Sequence, residues 1–169
     1  MEDVLRDVLD RNRKVLVIAL GDKARSFFEQ DLRERTTEQF NSIDDIVRSR
    51  ANVRVLFLDK LQYLYMYLTY VEIELQNRES PSMHCEEIII HGLESLLFTE
   101  QQLDSEKATP ELSVAQLRHC NLILHGSLRL QNRYAVRIRM VSATDLGDLS
   151  QDWEILTQYW HHIYSISDS

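Results

Sequence analysis

The stretch Glu86-Glu87-Ile88-Ile89-Ile90-His91-Gly92-Leu93-Glu94-Ser95-Leu96 constrains the fold of this chain more than any other. Three β-branched residues run together, a glycine follows, and an apolar segment resumes. That pattern is how a strand buried on both faces of a parallel sheet reads.

A further apolar run matches it: Val15-Leu16-Val17-Ile18-Ala19-Leu20 reads as a first buried strand, and Val53-Arg54-Val55-Leu56-Phe57-Leu58 is a second strand. Gly21-Asp22-Lys23 ends the first, with Asp22 as the N-cap of the next helix. On that helix Ala24, Phe28 and Leu32 share a face at four-residue spacing, and Phe27 points about 100° away. Phe27 is therefore either core from a second side or a contact for a partner. Ser42, with Asp45 three residues on, can cap a further helix.

After the second strand, Leu61, Leu64, Leu68, Val71 and Leu75 mark a long amphipathic helix. Tyr63, Tyr67 and Tyr70 flank its stripe, as core or as a partner seam. Arg78 to Cys85, with Pro81, reads as a loop, and Thr99 to Thr109 as a polar one. Thr109-Pro110 forms a helix start, a cap followed by proline at the first helical position. That helix runs towards Asn132 through Gly126. Tyr134 to Val141 is another strand, and Ser142 to Ser150 is an acidic, turn-rich loop. Trp153, Leu156, Trp160 and Ile163 stripe a closing helix, facing either the core or a partner. Strands and helices alternate throughout, which predicts a single α/β domain over residues 1–169, its mainly parallel sheet flanked by helices.

Composition fits this reading and narrows the function. Four Gly and two Pro in 169 residues leave little room for a loop-rich all-β fold. No apolar run approaches the ~20 residues that span a bilayer. The start, Met1-Glu2-Asp3-Val4, is acidic where a signal peptide is basic and then apolar. Two cysteines, Cys85 and Cys120, suit a reducing compartment, cytoplasm or nucleus. A net charge of −8 argues against bulk affinity for nucleic acid. The basic residues are nevertheless concentrated: Arg118, Arg129, Arg133, Arg137 and Arg139 lie in a stretch, Arg118 to Met140, without Asp or Glu. Along the last strand Arg137 and Arg139 face one way and Val136, Ile138 and Met140 the other. Two guanidinium groups on one face imply a sheet open on that side, or covered there by a partner or ligand.

Catalytic signatures are missing. A phosphate-binding loop needs G-x-x-x-x-G-K-[ST], and the position after the first strand holds Gly21-Asp22-Lys23-Ala24-Arg25-Ser26. In nucleotide-hydrolysing sheets the strand equivalent to Ile88–Ile90 ends in an acid that holds magnesium or its water. Here it ends in His91. The pairs His84-Cys85, His119-Cys120 and His161-His162 diverge as neighbours do, and predict no metal site. No nucleophile elbow is present. The chain is expected to be no enzyme and to need no cofactor.

Ile88 to Leu96 resembles the second nucleotide-binding strand of RecA-type recombinases, with His91 in place of their Asp. Leu128 to Arg139 is similar to their following helix and strand. Gly147-Asp148-Leu149 with Trp153, Tyr159-Trp160 and Ile163-Tyr164 is similar to a degenerate branch, the small recombinase-like subunits of the yeast Shu complex known as the chromosome-segregation-in-meiosis series. The resemblance spans about Val15 to Tyr164. It implies a degenerate RecA-like core without nucleotide-binding motifs, paired as a heterodimer with a second recombinase-like subunit. It further implies a nuclear role that promotes recombinase filament assembly in homologous recombination repair. The family places DNA contact on a basic loop before the closing helix, and here that loop is acidic. The DNA-binding candidates are then Arg129, Arg133, Arg137 and Arg139, from charge and strand geometry alone. Phe27, Trp153 and Trp160 are the candidate partner contacts. The alternative is a protein-interaction scaffold that never touches DNA, and no membrane partner is expected.

Overall fold

The computed structural model describes Val4, Asp7, Val8 and residues 13–31, 50–77, 85–98, 112–143 and 151–167. Four strands, β1 (Val15–Leu20), β2 (Val53–Leu58), β3 (Glu87–His91) and β4 (Arg137–Val141), form one sheet in the order β2-β1-β3-β4. All three pairings are parallel. The expected α/β architecture with a parallel sheet is therefore what the chain adopts. β1 and β3 are interior and buried along their whole length, β1 as an unbroken apolar run and β3 with Ile88–Ile90 between a buried Glu87 and a buried His91. β2 and β4 are the edges and are partly exposed.

Because side chains alternate along a strand, the register assigns each residue to a face. One face carries Leu16, Ile18 and Leu20 beside Ile88 and Ile90, and it is covered by α2 (Leu61–Gln76), α3 (Val114–Tyr134) and α4 (Gln151–Ser167). The main core lies there. The opposite face carries Val15, Val17 and Ile89, packed with Val4, Val8, Phe27 and Phe28. Each fully buried aliphatic side chain contributes about 1.5–3 kcal/mol, so the two layers together hold the sheet in place.

α1 (Gly21–Ser26) follows β1 without an intervening loop and passes into a π-turn at Phe27–Asp31. It begins one residue before Asp22, with Leu20 in the N-cap position and no side-chain cap. Gly21 has φ +72°, and its own left-handed backbone makes the turn that an Asp22 cap was expected to make. α2 buries Leu61, Leu64, Leu68 and Val71, the stripe read from the sequence.

α3 starts at Val114 rather than at Thr109-Pro110, which lie outside the described residues. Ser113 and Gln116 form a capping box: the Ser113 Oγ accepts from the Gln116 backbone N–H at 3.2 Å, and the Gln116 Oε1 accepts from the Ser113 N–H at 2.9 Å. Two orphan donors are satisfied at once, a stronger start than cap plus proline. The helix runs through Gly126 to Tyr134, and Ala135 ends it in the left-handed region at φ 54°. β4 consequently begins at Arg137, three residues later than the sequence suggested. The expected Ser42 cap, Leu32, the loops Arg78 to His84 and Thr99 to Glu111, and Thr144 to Ser150 of the acidic loop lie outside the described residues. Among the described residues no helix is long and apolar enough to cross a membrane.

Candidate nucleic-acid and partner surfaces

Strand order reverses between β1 and β3, since β2 lies to one side of β1 and β3 to the other. In open parallel sheets ligands bind at the carboxyl ends of the strands beside such a reversal. Here that crevice is filled. A Cβ on Gly92 would stand 2.9 Å from the Leu20 carbonyl oxygen and 3.1 Å from the Cβ atoms of Ala143 and Ala24. A Cβ on Gly21 would stand 3.2 Å from that of Ser95. The 3₁₀ turn Leu93–Leu96 thus packs where a phosphate loop would open.

His91, at the end of β3, is buried and donates from Nδ1 to the Val141 carbonyl at 3.2 Å. The rings of Phe27 and Phe28 meet it edge-on at 5.7 and 6.1 Å. Burial lowers its pKa, which keeps the imidazole neutral in this aromatic box. Phe27, open from sequence between core and partner, belongs to the chain's own second core through His91 and Phe28. Beside β3 and β4, an open cleft of about 300 Å³ is lined by Ile90, Leu93, Met140 and Trp153 together with Glu94, Glu154 and Thr157. Two carboxylates and no lysine or arginine make that lining hostile to phosphate. The Glu94 carboxylate accepts from the Ser142 hydroxyl at 2.7 Å and from the Ala143 N–H. Among the described residues no group of three His, Cys, Asp or Glu side chains could hold a metal.

The four candidate arginines separate into two classes. Arg129 on α3 donates to Glu72 of α2, whose side chain is nearly buried, and Arg133 reaches the same carboxylate at 3.9 Å while staying largely exposed. Arg139 on β4 donates through Nε to Glu87 of β3 and through Nη2 to Asp7 at 3.1 Å. The Glu87 hydrogen bond holds the guanidinium still more firmly protonated. This answers the open-face inference: the Arg139 side of the sheet is closed by carboxylates of the chain itself. Arg137, one pleat away on the same face, is exposed at the amino end of the edge strand. Arg129 and Arg139 therefore serve as internal counter-ions, and Arg133 and Arg137 are the two whose guanidinium groups face solvent. The acids responsible, Glu72, Glu87 and Asp7, lie 57, 52 and 132 residues away in sequence, and local pattern gave no sign of them.

Trp153 and Trp160, offered as partner contacts, are buried in the main core with Leu156, and the Trp160 Nε1–H donates to Asn121 Oδ1 at 2.9 Å. A protein approaching α4 meets Ile155 and Tyr159 instead, both exposed. Cys85 and Cys120 are free thiols, and burial pushes Cys120 up to about 12.

Comparison with known proteins adds a family to this geometry. The profile of the family described as Suppressor of HU sensitivity involved in recombination protein 1 matches residues 2–165. The Saccharomyces cerevisiae protein of that description is 32% identical over 120 residues, covering 70% of this chain and 68% of that protein.

Proposed function

The chain belongs to the family of Suppressor of HU sensitivity involved in recombination protein 1, and from that membership we propose that it is a non-catalytic subunit of a Shu-type complex acting in homologous recombination repair. It works in the nucleus by assembly, pairing with a sister recombinase-like subunit and helping the strand-exchange recombinase to form its filament. Its sheet is a degenerate RecA-like core. Its finer placement in the chromosome-segregation-in-meiosis series is supported by the closing aromatic pattern alone.

The observation that supports the non-catalytic reading is the filled β1–β3 crevice, where no side chain fits between Gly92 and the Leu20 carbonyl and the strand end holds His91 among phenylalanines. Neither a phosphate cradle nor a magnesium ligand fits that arrangement. DNA contact, in this proposal, runs through Arg133 and Arg137, which neutralise phosphates without reading bases.

Fluorescence anisotropy with forked and single-stranded DNA tests it on the complex of this chain with its sister subunit. Arg133→Glu with Arg137→Glu is expected to weaken binding and to reduce the salt slope by about 0.7–0.9 log units for each phosphate no longer neutralised. Unchanged affinity and slope would remove Arg133 and Arg137 as DNA contacts, and no DNA binding by the wild-type complex would favour the second reading, a scaffold with no DNA contact. That reading is favoured by one observation, the engagement of Arg129 and Arg139 inside the fold.

A further inference from the structure

α2 has a second apolar stripe, on the side away from the sheet. Tyr63, Met66, Tyr70 and Ile73 are 46%, 63%, 48% and 50% exposed. Their spacing is three, four, three. That is the spacing of a seam meant for another helix, and it differs from the buried stripe of Leu61, Leu64, Leu68 and Val71, which the same helix turns to the core. Tyr67 and Tyr70 already lean together with ring centroids 6.0 Å apart, and the Lys60 ammonium sits 5.3 Å over the Tyr63 ring at the start of the helix. The tyrosines are thereby held in place before any partner arrives.

Charge sharpens the point. Within Leu61–Gln76 the exposed positions are Gln62, Tyr63, Met66, Tyr70, Ile73 and Gln76, and none carries a formal charge. The two acids of the helix are drawn inward: Glu72 is buried against Arg129, and Glu74 is only partly exposed. In a chain with 27% charged residues, an exposed helix face without charge is the composition of an interface core rather than of a solvated surface. The seam runs from Tyr63 to Ile73, eleven residues and about 15 Å along the axis. A helix crossing at about 20° stays in register over that length.

We propose that this outer face of α2 is the seat of an apolar-seamed helix from a different subunit. A second copy is disfavoured by the charge of the molecule as a whole, since each copy carries a net −8, and a partner of neutral or basic balance relieves that repulsion. The proposal rests on the assembly reading above and names the surface that serves it. Tyr63 and Tyr70 supply rigid amphipathic area, and Met66 adapts to the partner's contour.

The experiment titrates the separately purified sister recombinase-like subunit of the same organism into this chain, with affinity read by isothermal titration calorimetry. Met66→Glu and Ile73→Lys are each expected to weaken binding roughly 30-fold or more, as central positions of an interface do. Met66→Leu and, at the start of α3, Val114→Glu, whose side chain is exposed, should leave affinity within about two-fold, surface changes away from a contact having little effect. Circular dichroism melts that match wild type show that the charged variants fold. Nitration should modify Tyr63 and Tyr70 in the lone chain and spare them in the complex. If wild type binds and the α2 variants bind equally well, the seam is overturned while the assembly reading stands. If wild type binds no sister subunit, the assembly reading falls and takes the seam's occupant with it. A lone chain that sediments as a dimer and becomes monomeric on Met66→Glu assigns the face to self-association and overturns the heterologous partner.

Discussion

Replacing Arg139 by methionine separates a structural arginine from a nucleic-acid contact. The side chain is 23% exposed, and its two partners are Glu87, 1% exposed, and Asp7, 32% exposed. The Glu87 Oε2 has no hydrogen-bond partner, so among the described residues Arg139 is the countercharge its carboxylate depends on. Arg139→Met strands a buried carboxylate, which costs about 3–5 kcal/mol in general. β4 is an edge strand and water reaches Arg139 in part, so the lower end, about 3 kcal/mol, applies to the Glu87 pair. The partly exposed Asp7 bridge adds about 0–1 kcal/mol. For a chain of this length the sum corresponds to a fall of roughly 6–16 °C in Tm. Urea unfolding followed by far-ultraviolet circular dichroism gives the free energy directly. Adding Glu87→Leu to Arg139→Met should recover most of the loss, because the carboxylate that suffered is gone. Arg137→Met, by contrast, should change stability by no more than about 0.5 kcal/mol. A loss below about 1 kcal/mol for Arg139→Met, or a double variant no more stable than the single one, would refute the reasoning.

Gly92→Ala forces a side chain into a left-handed backbone and against the Leu20 carbonyl; a loss of about 2 kcal/mol or more is expected in the same unfolding assay. The pKa of His91 is lowered by burial, so the unfolded chain binds the extra proton. Its contribution to stability is complete above about 6.5 and is lost as pH falls from there through the lowered folded-state value. His91→Phe should flatten the stability profile over that window, and an unchanged slope would exclude His91 as its source. Cys120, with its thiol at about 12, should resist iodoacetamide near pH ~8 in the folded chain and react once urea is added; equal rates in both states would contradict its burial.

Much of the fold was legible because β1 is a single apolar run and β2 an apolar stretch interrupted only by Arg54, each with polar or glycine residues at its ends, and the boundaries read from sequence are the observed ones. The stripe of α2 was legible for the same reason, a simple period of three and four. The start of α3 was misread because Thr109-Pro110 satisfies one local rule while Ser113-Val114-Ala115-Gln116 carries the capping-box spacing, whose two hydrogen bonds the helix forms. The arginines show the deeper limit. A strand of alternating Arg and apolar residues announces two faces, and it says nothing about which face meets a carboxylate from another element. Glu72 and Glu87 each look like ordinary helix and strand acids until folding brings Arg129 and Arg139 to them. Trp153 and Trp160 were ambiguous on the same account, since an aromatic stripe has one appearance whether it faces the molecule's interior or a neighbour.

A plugged crevice at the β1–β3 boundary also has a temporal meaning. A sheet that holds a triphosphate carries a clock, because each hydrolysis event limits how long its assembly lasts. With no room for a Cβ between Gly92 and the Leu20 carbonyl and the Leu93–Leu96 turn over Gly21, the described residues leave no socket for such a timer at that boundary. Under the function proposed above, the time this chain spends in its assembly would be set by concentrations and dissociation rates, and a release signal would come from outside it.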